Sequence, residues 1–175
     1  VWTRSPAGRE VALADPALRA SWTAALPDWT EADIVGSPYC IREYVPDSAF
    51  GGWGGLDTAR EELNRRGARL MVDWVPNHTG PDSPWLKDTP EAYVNGTQAE
   101  LDQDPSAFLD VGGTVVARGR DPYFAPWPDV VQLNPFADAY RQLAVETLTR
   151  IAEHADAVRC DMAMLILPDV FERTW

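Results

Sequence analysis

The run from Ala157 to Leu165 is apolar except for two opposite charges, Arg159 and Asp161. Alternate residues of a β-strand point to the same side, so a strand here would carry both charges on one face. A charge in a buried strand is costly unless it is paired or used. Arg159 can pair with Asp161 and hold it in its charged form, as a nucleophile. A purely structural ion pair at a strand end explains the same pattern.

A second apolar segment, 69–75, predicts another strand, buried on both faces and closed by a proline. Asn77 and His78 come just past its end. In parallel α/β folds, ligands bind beyond the carboxyl ends of the strands. We therefore expect these two side chains to meet the pair formed by Arg159 and Asp161. Taken singly, an exposed loop histidine and a turn asparagine explain them as simply.

The segments around these strands have helical and turn signals. Asp-Pro and Asn-Pro pairs and the helical spacing of apolar residues predict helices at 15–26, 56–67 and 134–154. The glycine-rich stretch 51–55 is expected to be a flexible turn. Strands that alternate with helices are typical of a parallel sheet with crossover helices. The stretch 80–133 lacks this alternation, so we expect a functional connection or a small inserted subdomain there.

Composition narrows the classes of partner. The formal net charge of −12 and the pI near 4.4 argue against nucleic acid and anionic membrane surfaces. The eight Trp, five Tyr and five Phe offer flat faces for sugar rings, although such residues suit a core equally well. No apolar run is long enough to cross a membrane. No signal peptide is visible after Val1, which favours the cytoplasm only slightly.

The two cysteines, Cys40 and Cys160, show no metal or redox spacing, and no disulfide is predicted. Cys160 alternates with the two charges of its strand. We therefore expect it to face away from them and to behave as a small buried hydrophobic residue.

The spacing of the polar residues resembles that of a known family. Asp73-x-x-x-Asn77-His78, followed downstream by Arg159-x-Asp161, resembles the α-amylase family of retaining glycoside hydrolases and transglycosylases. Three further segments match: 70–79 resembles the third-strand signature, Tyr39-x-Ile41-x-x-Tyr44 the segment that leads into the preceding helix, and 132–134 the short motif near the end of the inserted subdomain. The resemblance covers the chain from about residue 32 to residue 165.

The resemblance implies a role for four residues. Asp161 would be the nucleophile that forms a covalent glycosyl-enzyme intermediate. Arg159 would hold Asp161 charged and aligned. His78 would hydrogen-bond to hydroxyls of the sugar at the cleavage point, and Tyr39 would stack on that same sugar.

Two further residues match positions that do not take part in the chemistry. Asp73 would be a structural partner inside the barrel, and Asn77 matches a calcium ligand of many family members, although calcium needs several other oxygen ligands. Cys40 stands where the family often has Asp. Met164 and Leu165 stand where α-amylases proper often have Lys and His, so the preferred substrate does not follow from the resemblance.

The implied fold is a partial (β/α)8 barrel of the TIM type, with an irregular inserted subdomain after the third strand. The expected divisions are 1–79 for the first part of the barrel, 80–133 for the insert and 134–175 for the barrel's continuation. A complete barrel takes roughly 250 residues, so we expect a fragment. The family's general-acid Glu should lie on a later strand, and Glu172 falls in a crossover segment instead. The chain is therefore expected to be inactive alone.

Two alternatives remain open. A truncated barrel could bind glycans through Tyr39, His78 and the aromatic insert without cleaving them. An unrelated barrel metalloenzyme could use His78 with Asp161 and Asp73 as ligands, although His154, at a helix end, lies too far away to help. The expected partner of the favoured enzyme is an oligo- or polysaccharide. Its oligomeric state is not predicted.

Overall fold

The computed structural model describes all residues from Val1 to Trp175, in seven α-helices and eight short β-strands. The helices are α1 (Pro6–Ala14), α2 (Pro16–Ala25), α3 (Gly52–Arg65), α4 (Pro84–Asp88), α5 (Gln98–Gln103), α6 (Asp138–His154) and α7 (Pro168–Thr174). The strands are β1 (Trp2–Arg4), β2 (Ile41–Pro46), β3 (Met71–Trp74), β4 (His78–Thr79), β5 (Phe108–Val111), β6 (Thr114–Ala117), β7 (Val131–Gln132) and β8 (Ala157–Cys160).

The strands form four two-stranded sheets. β3 and β8 run parallel, with Asp73 opposite Arg159, and the connection between them contains α6. This pair confirms the predicted parallel strands with a crossover helix. β1 and β2, in contrast, are antiparallel. The N–H of Ser5, which follows β1, donates to the carbonyl of Cys40, which precedes β2, at 2.9 Å. The two ends of the connection that contains α1 and α2 therefore lie next to each other.

Two helix boundaries differ from their prediction. α6 begins at Asp138 and not at Asn134, because the Asn134 side chain accepts a hydrogen bond from the Phe136 N–H at 3.1 Å and closes a turn. α3 already begins at Gly52, so the expected flexible turn is mostly helical. A side chain at Gly55 would meet the Phe50 carbonyl oxygen at 1.9 Å, which explains a glycine there. The ends of α2 and α6 agree with the prediction.

α1 is not among the predicted helices, although the start signal is present. Ser5 precedes Pro6, and its hydroxyl accepts from the Gly8 N–H at 2.9 Å. This is the same arrangement as Asp15 before Pro16 at the start of α2.

The core lies between the strands, α3, α6 and the segment that follows β4. Its 17 buried residues are Trp2, Ile41, Tyr44, Leu56, Val72, Trp74, Val75, Leu86, Ala92, Tyr93, Val116, Val131, Leu133, Tyr140, Ala144, Ile151 and Ala155. None of the helices combines the length and the apolar character needed to span a bilayer.

Two burial predictions on the parallel pair are wrong. β3 is not buried on both faces, since Met71 is 61% exposed and the Asp73 side chain 40% exposed. Cys160, expected to be buried, is exposed. These residues belong to a sheet of only two strands, so no further strand pairs beside them to lower their exposure.

The segment between β4 and β7 has its own small structure. It contains α4, α5 and the β5–β6 hairpin, and it returns through β7, which pairs with β4. Tyr93 is buried there, and its hydroxyl shares a hydrogen bond of 2.9 Å with Thr79 in β4. The division of the chain at 79 and 133 stays a prediction.

Candidate functional site

The candidate site lies at the carboxyl ends of β3 and β8. The parallel register places Asp73 beside Arg159 and Trp74 beside Cys160. Asp161 follows the last residue of β8, and its N–H donates to the Trp74 carbonyl at 2.8 Å. The ladder between the two strands therefore extends by one bond and fixes the Asp161 backbone.

Arg159 lies between two carboxylates. Its Nη1 donates to Asp73 Oδ1 at 2.5 Å and its Nη2 to Asp161 Oδ1 at 2.6 Å. The hydrogen bond that Arg159 donates to Asp73 and, to a smaller extent, the charge of Asp161 raise the pKa of Arg159. The Asp161 side chain is only 15% exposed, against 53% for Arg159. The predicted contact of Arg159 with Asp161 is thus present, and Asp73 holds the other side of the guanidinium.

Two buried tyrosines hold the chain between β3 and β4. The Tyr44 hydroxyl donates to the Val75 carbonyl at 3.0 Å and accepts from the Val75 N–H at 2.9 Å. The Tyr140 hydroxyl donates to the Pro76 carbonyl at 2.9 Å. Burial raises the pKa of both tyrosines, so both hydroxyls keep their protons. These bonds fix the backbone that leads directly to His78.

Asn77 is buried against Gln132 of β7. Gln132 Nε2 donates to the Asn77 backbone oxygen at 2.9 Å and to Asn77 Oδ1 at 3.0 Å. Calcium takes about six to eight oxygen ligands, and no group of three or more His, Cys, Asp or Glu side chains in the structure could hold a metal. The side-chain oxygen of Asn77 accepts from Gln132 in this structure, and its role as a calcium ligand stays a prediction.

His78 is buried, with 4% of its surface exposed, so it is not the exposed loop residue of the simpler interpretation. It lies in β4 opposite Gln132, and its ring meets the edge of Trp127 at a centroid distance of 5.3 Å. Burial lowers the pKa of His78 to about 4, against an opposing hydrogen bond with the Tyr39 backbone. His78 is therefore neutral near pH 7 and able to donate or accept hydrogen bonds without a charge.

Tyr39 lies next to this histidine and is 43% exposed. A cavity of about 170 Å³ opens beside it. Its lining residues are Ser37, Tyr39, Cys40, His78, Trp127, Asp129, Val130 and Met162.

Six of these lining residues are not among the predicted site residues, and three of the six stand out: Trp127, Asp129 and Met162. Trp127 and Asp129 lie in the proline-rich stretch before β7, whose irregular sequence indicates no contact with β4. Met162 follows Asp161 directly and has a φ of 57°, in the left-handed region that non-glycine residues rarely adopt. Such backbone outliers cluster at functional sites, but no sequence signal indicates one at a methionine.

The metalloenzyme alternative requires His78, Asp161 and Asp73 to surround one ion. The structure directs the two carboxylates toward Arg159, and it holds no cluster of three such residues that could bind a metal. His154 is engaged elsewhere, with its Nδ1 2.7 Å from Asp57 Oδ1. In this structure both carboxylates of the site therefore pair with Arg159.

The fold and the site define a class of protein: a β/α structure with an arginine-held carboxylate at the ends of adjacent parallel strands. Neither a protein-family model nor a curated protein matches the chain. Solved structures do match. An α-amylase from Lactobacillus plantarum is 26% identical, with a TM-score of 0.58 over 79% of this chain and 29% of that one.

Two more solved structures show the same fold. A maltogenic α-amylase from Thermotoga neapolitana is 22% identical, with a TM-score of 0.54 over 79% of this chain and 29% of that one. A trehalose-6-phosphate hydrolase from Bacillus licheniformis is 20% identical, with a TM-score of 0.61 over 74% of this chain and 27% of that one.

These neighbours are α-amylase-family enzymes with TIM barrels, so the family resemblance is confirmed. The chain spans only 27–29% of the length of these three structures. It matches them as a partial α/β structure, with small sheets and no closed barrel.

Proposed function

We propose that the chain is part of the catalytic barrel of an enzyme that hydrolyses or transfers α-glucosidic linkages in oligo- or polysaccharides. The observation that carries this proposal is the contact between Arg159 and Asp161. Arg159 engages only Oδ1 of Asp161, at 2.6 Å, which leaves Oδ2 available to attack a sugar. Asp73 holds the guanidinium from its other side, so Asp161 is charged and aligned before substrate binds.

The proposed reaction retains the configuration of the sugar. Asp161 attacks the anomeric carbon and forms an ester with it, while the bond to the leaving oxygen breaks and that oxygen takes a proton from a general acid. Water or a second sugar hydroxyl then attacks the same carbon and gives its proton to the conjugate base of that general acid, and Asp161 leaves as a carboxylate. Glu172 lies in α7 and is not a candidate acid, so the proposal takes the acid from outside these 175 residues.

The remaining site residues bind and orient the sugar. Tyr39 offers an exposed ring edge and face for stacking, and neutral His78 offers a hydrogen bond to a hydroxyl. The segment 80–133 serves as the inserted subdomain. It contributes Trp127, whose ring packs against the ring of His78. These roles follow the family resemblance and the position of Tyr39 and His78 in the lining of one cavity.

The test uses the full-length gene product and NMR of the first sugar released from α-linked glucosides. We expect the product to keep the α configuration, and Asp161→Asn to lower kcat by about 1000-fold or more. Asp169→Asn, at an exposed aspartate in α7, is the matched control and should leave kcat unchanged. A β-configured product, or an Asp161→Asn variant with normal kcat, would overturn the proposed mechanism.

A further inference from the structure

The cavity beside Tyr39 and His78 contains an acidic residue to which the proposed reaction assigns no role. Asp129 lines this cavity of about 170 Å³ together with Trp127 and Met162. It lies in the chain just before β7, three residues from Gln132, which pairs with His78. The lining of the cavity thus includes an aromatic residue and an acidic residue from the same stretch of chain.

The backbone around Asp129 is fixed by three hydrogen bonds. The Cys40 thiol donates to the Asp129 carbonyl at 2.9 Å. The Gly119 N–H donates to the Val130 carbonyl at 3.0 Å, and the Trp127 N–H donates to the Gly119 carbonyl at 2.8 Å. Asp129 is therefore held in a defined position beside β4 and not on a free loop.

The Asp129 carboxylate lacks strong partners. Burial raises its pKa, and only its own backbone N–H and the charge of Arg118 act in the opposite direction. Arg118 is itself occupied, because its Nη1 donates to the Pro128 carbonyl. A half-buried carboxylate with so few donors gains from any ligand that supplies hydroxyl hydrogens. Sugars are ligands of that kind.

We propose that Asp129 is a specificity-determining residue that accepts hydrogen bonds from hydroxyls of the sugar held by Tyr39 and His78. This inference rests on the proposed function. Trp127 would cover the apolar part of the same sugar ring. A sugar that lacks the hydroxyl facing Asp129 leaves the carboxylate buried and unpartnered, so the site discriminates against it. The selected ligand is a neutral hexose with hydroxyls on the side of β7.

The test uses the full-length protein with Asp129→Asn and Asp129→Ala. We expect Asp129→Ala to raise KM for the best glucoside by about 10- to 100-fold, the loss typical of a hydrogen bond to a charged group, with kcat within about threefold. The KM of Asp129→Asn should lie between that of Asp129→Ala and that of the unsubstituted protein. Asp102→Asn, at an exposed aspartate of α5, is the matched control.

A structural role for Asp129 is separated from a binding role with deoxy-sugars. We expect one monodeoxy glucoside to bind more weakly than the parent glucoside to the protein with Asp129. Asp129→Ala should not weaken the binding of this deoxy-sugar any further, because the two changes remove the same hydrogen bond. Dissociation constants come from calorimetry on Asp161→Asn, which binds without turnover. If the losses in binding free energy from Asp129→Ala and from the missing hydroxyl add for every deoxy-sugar, or if KM is unchanged in Asp129→Ala, the role of Asp129 is overturned while the proposed function stands. Absence of both turnover and glycan binding in the unsubstituted protein would overturn the proposed function as well.

Discussion

Arg159 and Asp73 face each other across the parallel strands β8 and β3, and their side chains are joined by a hydrogen bond of 2.5 Å between Nη1 and Oδ1. The second nitrogen of the same guanidinium reaches Asp161. Asp73 therefore fixes the arginine that positions Asp161, and it does so from the neighbouring strand. A substitution at Asp73 should therefore change the position of the Asp161 side chain through Arg159, although the two carboxylates do not contact each other.

The first prediction concerns Asp73→Ala in the full-length protein. Loss of this carboxylate lets the guanidinium turn away from Asp161, so we expect kcat/KM to fall by about tenfold or more. The midpoint of thermal unfolding should change little, because both side chains of the pair are substantially exposed. Asp138→Ala, which removes the exposed pair with Arg141, should leave kcat/KM unchanged. A large drop in the unfolding midpoint with normal turnover would show that Asp73 only supports the fold.

The second prediction concerns the pH dependence of stability. The pKa of His78 is about 4 in the fold and about 6.5 in an unfolded chain. The unfolded state therefore takes up the proton first as the pH falls. The contribution of His78 to the free energy of unfolding is fully present above about pH 6.5. It falls by about 3 kcal/mol in total as the pH is lowered to 4.

The measurement is the free energy of unfolding from urea titrations between pH 7 and pH 5, a range above the ordinary titration of carboxylates. His78→Gln should flatten the slope in this range. An identical slope in the His78→Gln variant would contradict the assignment.

The third prediction compares the two tyrosines that hold the segment after β3. Tyr44→Phe leaves both the N–H and the carbonyl of Val75 without a partner in the core, so we expect a loss of about 2–3 kcal/mol in the free energy of unfolding. Tyr140→Phe removes one bond, to the Pro76 carbonyl, and should cost about 1 kcal/mol. Chemical denaturation of the two variants checks the order. Equal losses would show that the second bond to Val75 contributes nothing.

The fourth prediction concerns the contact between Gly8 and Cys40. A Cβ at Gly8 would lie 2.3 Å from Cys40 Sγ, so Gly8→Ala should lower the free energy of unfolding by about 1–3 kcal/mol. The double variant with Cys40→Ala should recover much of this loss. Gly54→Ala is the matched control, because this helical glycine of α3 has open space around it, and we expect a gain of about 0.5–1 kcal/mol. Additive losses in the double variant would contradict the proposed clash.

Strand periodicity correctly predicts one contact of the site, that of Arg159 with Asp161. Asn77, expected to meet the same pair, hydrogen-bonds with Gln132 instead, and the meeting of His78 with the pair stays a prediction. The two-residue period predicts which face of the sheet a side chain lies on, but it does not predict whether that face is covered by other residues. The prediction that Cys160 is buried is therefore wrong. Burial of that position depends on what packs on the sheet, which local pattern does not determine.

Long-range contacts account for the rest. Trp127 reaches His78 across 49 positions of sequence (127 − 78), and the stretch that carries it has no periodic pattern. The Asn-Pro signal predicts that α6 begins at Asn134, but the Asn134 side chain closes a turn there and the helix begins four residues later. Similar capping chemistry serves turns and helices alike, so spacing alone does not distinguish them.

The most direct test of the account is to trap the covalent intermediate on Asp161. The full-length protein is incubated with a fluorinated glucosyl fluoride, whose good leaving group allows ester formation while the ring fluorine slows hydrolysis of the ester. Peptide mass spectrometry then locates the label. We predict one glucosyl group on the peptide that contains Asp161, and none in Asp161→Asn. A label on another residue, or turnover with no label on any, would contradict the central claim that Asp161 is the nucleophile.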